Sequence, residues 1–195
     1  MEYKYYKIYK PFGMLSQFSK DGDKPVLGEV HNFPKDVYPI GRLDTDSEGL
    51  LLLTNNRSIT HRLLDPKFGH ARTYLAQVEG EITDEAIKKL KGQLELKHKG
   101  KTFTTKPAKA RKLEKAPPLP DRDPPIRYRK SVPDSWIELT LTEGKNRQVR
   151  KMTAAVGYPT LRLVRWSIEG ITVEGMDVGE VRELSEGERL SILRK

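Results

Sequence analysis

Four successive leucines, Leu50–Leu53, form the longest aliphatic block in the chain, and they constrain its fold more than any other feature. Gly49 precedes them and Asn55-Asn56 closes the segment after Thr54. A run this short between turn residues predicts a buried strand rather than a helix. It also falls far short of the roughly 20 apolar residues needed to cross a bilayer. The N-terminal segment MEYKYYKIYK interleaves charges with aromatics and has no apolar centre, so it does not read as a signal peptide. Together these features lead us to expect a globular, cytoplasmic protein.

Strand signals recur on both sides of the leucine run. Tyr3–Tyr9 is rich in aromatics and ends at the turn Pro11-Phe12-Gly13, and Val37–Ile40 stops at Gly41. Arg72–Glu79 alternates, with Tyr74, Ala76 and Val78 on one face, and Ser135–Leu141 alternates similarly. Further strands are expected near Leu161–Trp166 and Val178–Leu184, and a hairpin from Gln93–Lys97 and Lys101–Thr105. Helices are expected from Ser58, as cap, to Leu64 with Pro66 closing it, and over Asp84–Lys91 between Thr83 and Gly92. Asn146–Val156 puts Val149, Met152, Thr153 and Val156 on one helical face, and Ser185 and Glu188 have capping-box spacing. No internal repeat is present. The pattern predicts an α+β fold with a mixed, mainly antiparallel central sheet flanked by helices.

Seven of the 13 prolines fall between Pro107 and Pro133, among many Lys and Arg residues. That density predicts an extended, basic surface segment. The 195 residues carry 36 Lys+Arg against 27 Asp+Glu, a net charge of +9. Such an excess favours a polyanionic partner, RNA before a membrane surface. Cysteine is absent, which excludes disulfide scaffolds, thiolate metal sites and thiol nucleophiles. His31, His61, His70 and His98 lack metal-ligand spacing, and no phosphate-cradling glycine loop occurs. No metal and no nucleotide cofactor are therefore expected.

Three places could carry chemistry. Gly41-Arg42-Leu43-Asp44-Thr45-Asp46-Ser47-Glu48-Gly49 presents several carboxylates at a strand end. It reads as a solvated Asx-rich turn or as the setting of a reactive carboxylate, Asp44 before the others because Leu43 anchors it. Gly144–Lys151 opens a helix with clustered cations, either a solvated basic face or an anion site. Arg150, next to the inward-facing Val149, is placed for partial burial and for pairing with a carboxylate. Tyr74 reads as core or as a base-stacking tyrosine at a cleft edge.

Taken together, five ordered blocks resemble the pseudouridine synthases that act on ribosomal RNA, in the RsuA-type branch. They are Tyr6–Ser16, Pro39–Asn55, Arg72–Val78, Gly144–Met152 and Leu161–Arg165. The resemblance implies one catalytic domain of two subdomains, with a cleft between two halves of the sheet. The S4-type RNA-binding domain that commonly begins such chains is expected to be lacking, and the Asn146-Arg147-Gln148-Val149-Arg150 wording points to the large-subunit group.

The resemblance also implies roles. Asp44 matches the essential aspartate, Tyr74 the tyrosine that stacks on the target base, and Arg150 the basic partner of the aspartate. Leu163 matches the apolar pocket residue, with Leu161 as its competitor. Arg42, Arg147, Gln148 and Arg165 are the further candidate substrate contacts. Lys109, Arg111, Lys112, Arg127, Arg129 and Lys130 are candidates for phosphate contacts. The implied reaction breaks a uridine's C1′–N1 bond, turns the base and joins C1′ to C5, without metal or cofactor. The expected partner is large-subunit rRNA, with no membrane, and the lack of heptads makes a monomer the expectation.

Overall fold

The computed structural model describes residues 2–126 and 132–193. The chain divides into two compact units, Met1–His70 with Val164–Lys195, and Ala71–Leu163. Strand pairing is mixed and mainly antiparallel, and four helices occur among the described residues, so the α+β expectation holds.

In the first unit the leucine run lies in β3 (Glu48–Thr54), every residue of which is buried. Leu51 and Leu53 join Tyr6, Ile8, Met14, Leu27, Phe33, Val37 and Leu43 in one core, and Leu50 and Leu52 are buried on the opposite face. Burial on both faces is why this strand reads as a continuous apolar run rather than an alternation. β1 (Tyr5–Lys10) pairs antiparallel with β3, placing Lys10 opposite Gly49. On the other side β3 runs parallel to β9 (Thr160–Ile168), with Gly49 opposite Arg165. Of β9, Thr160–Leu163 falls in the second unit and the remainder in the first. β2 (Tyr38–Pro39) pairs with β3, β10 (Ile171–Thr172) with β9, and β11 (Val181–Glu183) with β1. β2 is shorter than the Val37–Ile40 expectation, although the Ile40 N–H beyond it still donates to the Leu52 carbonyl at 2.7 Å.

One helix end differs from the sequence reading. α1 (Arg57–Leu64) is capped by Asn56, not Ser58: Asn56 Oδ1 accepts the N–H groups of Ser58 and Ile59 at 3.1 and 3.3 Å. The Asn56 side-chain amide also donates to the Tyr5 hydroxyl at 2.8 Å, so the cap is held from the sheet. Pro66 opens a 3₁₀ turn, Pro66–Phe68, after the helix has ended. At the C-terminal end, Ser185 and Glu188 form the reciprocal capping box that starts α4 (Glu186–Leu193).

In the second unit β4 (Arg72–Glu79) pairs antiparallel with β8 (Asp134–Leu141) along its full length. β7 (Lys109–Leu113) adds to the other side of β8. This strand lies inside the segment expected to be extended surface. The five residues fit between Pro107 and Pro117, and Ala110 is buried in the unit's core. Further along, Arg162 Nη2 donates to the Pro120 carbonyl at 2.8 Å, so that stretch is tied down as well. The unit is completed by α2 (Asp84–Lys91), capped by Thr83, the hairpin β5 (Glu95–His98) and β6 (Lys101–Thr104), and α3 (Gln148–Ala155).

Gly49 sets the tightest steric condition. Its φ is +100°, and a Cβ there would lie 2.3 Å from the Arg165 carbonyl oxygen and 2.9 Å from Val164 Cγ1. Gly157 also has positive φ, +93°, but nothing lies within 4 Å of its Cβ position. Urea denaturation is expected to show Gly49→Ala losing about 3 kcal/mol or more, through strain and overpacking together. Gly157→Ala is expected to lose only about 1 kcal/mol, from φ alone.

Candidate active site

In the first unit the carboxylate turn leaves the core at Leu43 and enters β3 at Glu48. Asp44 is half-buried on it, and the Ser47 N–H closes the turn onto the Asp44 carbonyl at 3.0 Å. Arg42 is exposed just before it. Arg165 is buried, and its Nε donates to the Leu50 carbonyl at 2.7 Å.

Lys10 is fully buried, and sequence reasoning did not single it out. Its ammonium donates to the carbonyls of Pro11 and Met14, both at 2.8 Å. Burial lowers its pKa to about 8, with Arg165 pushing the same way; Glu48, Asp46 and Asp44 pull it back up. The signal in the sequence was a lysine between Tyr9 and Pro11 at the end of a strand buried throughout. Charge alone suggested a surface position.

In the second unit Tyr74 sits on β4 opposite Leu139 and is half-buried against the core. Arg150 lies on α3, and its Nη1 donates to the Thr160 carbonyl at 3.2 Å, tying the helix to the start of β9. Leu163 is packed in the core of this unit, whereas Leu161 is half-buried. Arg147 is exposed and takes a left-handed conformation, φ 52°, at the start of α3.

Gln148 faces inward. Its side-chain amide donates to Glu143 Oε1 at 2.7 Å, and its Oε1 accepts the Lys145 N–H at 3.0 Å. Burial works against the Glu143 carboxylate, but the Lys106 N–H, the Gln148 amide and Lys145 outweigh it and hold its pKa below the ordinary value. Glu143 is thus a second buried ionisable group missed from sequence. It shapes the entry to α3.

Of the candidate phosphate contacts, Arg111 forms a two-pronged pair with Glu138 at 2.9 and 2.8 Å, and Lys112 pairs with Glu81. Lys109 is exposed, and Arg127, Arg129 and Lys130 lie outside the described residues. Among the described residues, no three His, Cys, Asp or Glu side chains gather as a metal-holding group, and no helix is long and apolar enough to cross a membrane.

The model of the RNA pseudouridylate synthase family matches residues 4–155. The chain belongs to that family. It is 52% identical over 161 residues to ribosomal large subunit pseudouridine synthase E of Xanthomonas axonopodis pv. citri, which covers 82% of each chain. To the enzyme of the same name in Vibrio vulnificus it is 42% identical, over 90% of this chain and 73% of that one. A crystal structure of a pseudouridylate synthase matches 98% of this chain and 74% of its own with TM-score 0.80 at 27% identity. The resemblance carried by the five sequence blocks is therefore correct at the level of family and fold, and the chain is an RNA pseudouridine synthase.

Lys10 gives this synthase a pH signature. Its folded pKa of about 8 lies below the ordinary 10.5. Below pH 8 both folded and unfolded chains hold the proton, and the burial penalty is fully present. Between the two values the unfolded chain holds a proton that the folded chain has lost, so Lys10's contribution to stability rises with pH, by about 1.4 kcal/mol per pH unit. Comparing wild type with Lys10→Met in urea at pH 7 and pH 9.5, the difference is expected to move toward the wild type by about 2 kcal/mol.

Proposed function

We propose that this pseudouridine synthase isomerises a uridine of large-subunit ribosomal RNA, acting in the cytoplasm as a monomer. The observation that carries the substrate is the extent of similarity to relatives named as large-subunit synthase E. Asp44 is the carboxylate that acts on the ribose or the base. Tyr74 carries the base while it turns, and Arg150 is the basic residue of the reaction. The half-buried placement of Tyr74, packed against the core of its unit without being enclosed by it, supports stacking.

In this reading the C1′–N1 bond breaks, the base rotates, C1′ bonds to C5, and the C5 proton leaves as N1 gains one. Attack by Asp44 at C1′, attack at C6, and proton removal from C2′ all use an ionised aspartate. The target nucleotide must first leave its stack, at a cost of a few kcal/mol, which phosphate contacts elsewhere offset.

Asp44→Asn is expected to abolish tritium release from C5-labelled uridine in large-subunit rRNA, with melting temperature and RNA affinity unchanged. Wild-type turnover in that variant would overturn the assignment. Tyr74→Phe keeps the stacking ring and removes only the hydroxyl, so turnover and RNA binding are both expected to persist; a fall of about 100-fold would instead assign the hydroxyl to proton transfer.

The docking charge belongs to the β5–β6 hairpin rather than to Arg111 and Lys112, which are held in ion pairs. Lys97, Lys99 and Lys101 are exposed on it. Replacing the three by Gln is expected to flatten the dependence of log K on log salt by roughly 0.7 per lost phosphate contact. The rate at saturating RNA should stay at the wild-type value.

A further inference from the structure

We infer that Ser16 is the positioning residue that sets the reactive geometry of Asp44; this rests on the proposal that Asp44 is the catalytic aspartate. Ser16 is buried, and its hydroxyl contacts both polar groups of the residue preceding Asp44. It donates to the Leu43 carbonyl at 2.8 Å and accepts the Leu43 N–H at 3.0 Å. On the other side of Asp44, the Gly13 N–H donates to the Thr45 carbonyl at 2.8 Å. One segment, Pro11–Ser16, therefore holds the backbone immediately before and immediately after the aspartate.

That segment is itself fixed. The Lys10 ammonium ties the carbonyls of Pro11 and Met14 together, and the Leu15 N–H donates to the Pro25 carbonyl at 2.9 Å. Met14 and Leu43 share the core of the first unit. Leu43 lies outside any strand, so no ladder would satisfy its buried N–H and carbonyl without the hydroxyl. Loss of Ser16 Oγ leaves both groups seeking new partners, and the adjacent turn shifts to supply them. A carboxylate that must reach one atom of a ribose or base is sensitive to such a shift, because small misplacements cost large factors in rate.

The test is single-turnover kinetics on an rRNA substrate with five variants, each with its melting temperature. Ser16→Ala is expected to lower the rate at saturating RNA by about 10- to 100-fold with RNA affinity unchanged. Ser16→Thr, which keeps the hydroxyl, is expected to restore most of that rate. Ile82→Val, a core change in the second unit, serves as the control for lost stability and is expected to keep the wild-type rate. In the Asp44→Asn background Ser16→Ala should change nothing further. A wild-type rate in Ser16→Ala, an equal loss in Ile82→Val, or a Ser16→Thr variant that folds yet stays as slow as Ser16→Ala would overturn the proposal. If Asp44→Asn retained turnover, the catalytic reading itself would fail, an outcome separate from an active Ser16→Ala beside an inactive Asp44→Asn.

Discussion

Gly49 and Arg165 meet backbone to backbone, and the polar interior of the first unit depends on that contact. In the sheet Gly49 lies between Lys10 on one neighbouring strand and Arg165 on the other. The missing side chain lets the Arg165 backbone close directly on Gly49, and the two buried cations flank that contact. Each cation finds carbonyls: Lys10 those of Pro11 and Met14, Arg165 that of Leu50. Two buried positive charges side by side would be costly in isolation. Asp44, Asp46 and Glu48, all acting on Lys10, offset that cost. The carboxylate turn and the two cations are thus one electrostatic unit, and a side chain at position 49 would pry it apart.

The second unit solves a similar problem at the start of α3. Arg147 takes a left-handed conformation there and gives the helix no side-chain cap. Order comes instead from the buried Glu143, which gathers the Lys106 N–H and the Gln148 amide while Gln148 holds Lys145. Arg150, one turn on, is then fixed to the Thr160 carbonyl. In both units a buried, hydrogen-bonded polar group precedes the residue proposed to act on RNA. Such networks tolerate one arrangement well and others poorly, which suits groups that must be placed accurately.

Much of this was legible in the sequence for a definite reason. Leu50–Leu53, Arg72–Glu79 and Ser135–Leu141 declare themselves because their periodicity is the burial pattern itself. Thr83 and the Ser185–Glu188 pair were readable because capping is local. Asn56 was missed because Ser58, also a good cap, stood at the next plausible position. β7 was hidden because Lys109, Arg111 and Lys112 outnumber its one buried residue, Ala110. Of the proposed site, Asp44, Tyr74 and Arg150 stood out by local pattern, and the family resemblance gave them roles. Lys10, Ser16 and Glu143 did not, since their roles come from partners 4 or more residues away that only folding assembles.

The net charge of +9 also changes meaning once each cation has a place. Lys7, Lys10, Arg162 and Arg165 are buried and bonded to carbonyls or carboxylates of the protein itself. Arg111, Lys112 and Arg182 are held in ion pairs. These charges are engaged within the protein and are poorly placed to neutralise phosphates, because a phosphate contact would first have to displace an existing partner. Docking of a polyanion therefore falls to cations on exposed elements, of which the β5–β6 hairpin presents three on a short ribbon. A hairpin of this size gains little from burial of its own, so its sequence is free to carry charge that a core strand could not. The basic excess is divided between cations bonded inside the protein and cations exposed on a peripheral ribbon.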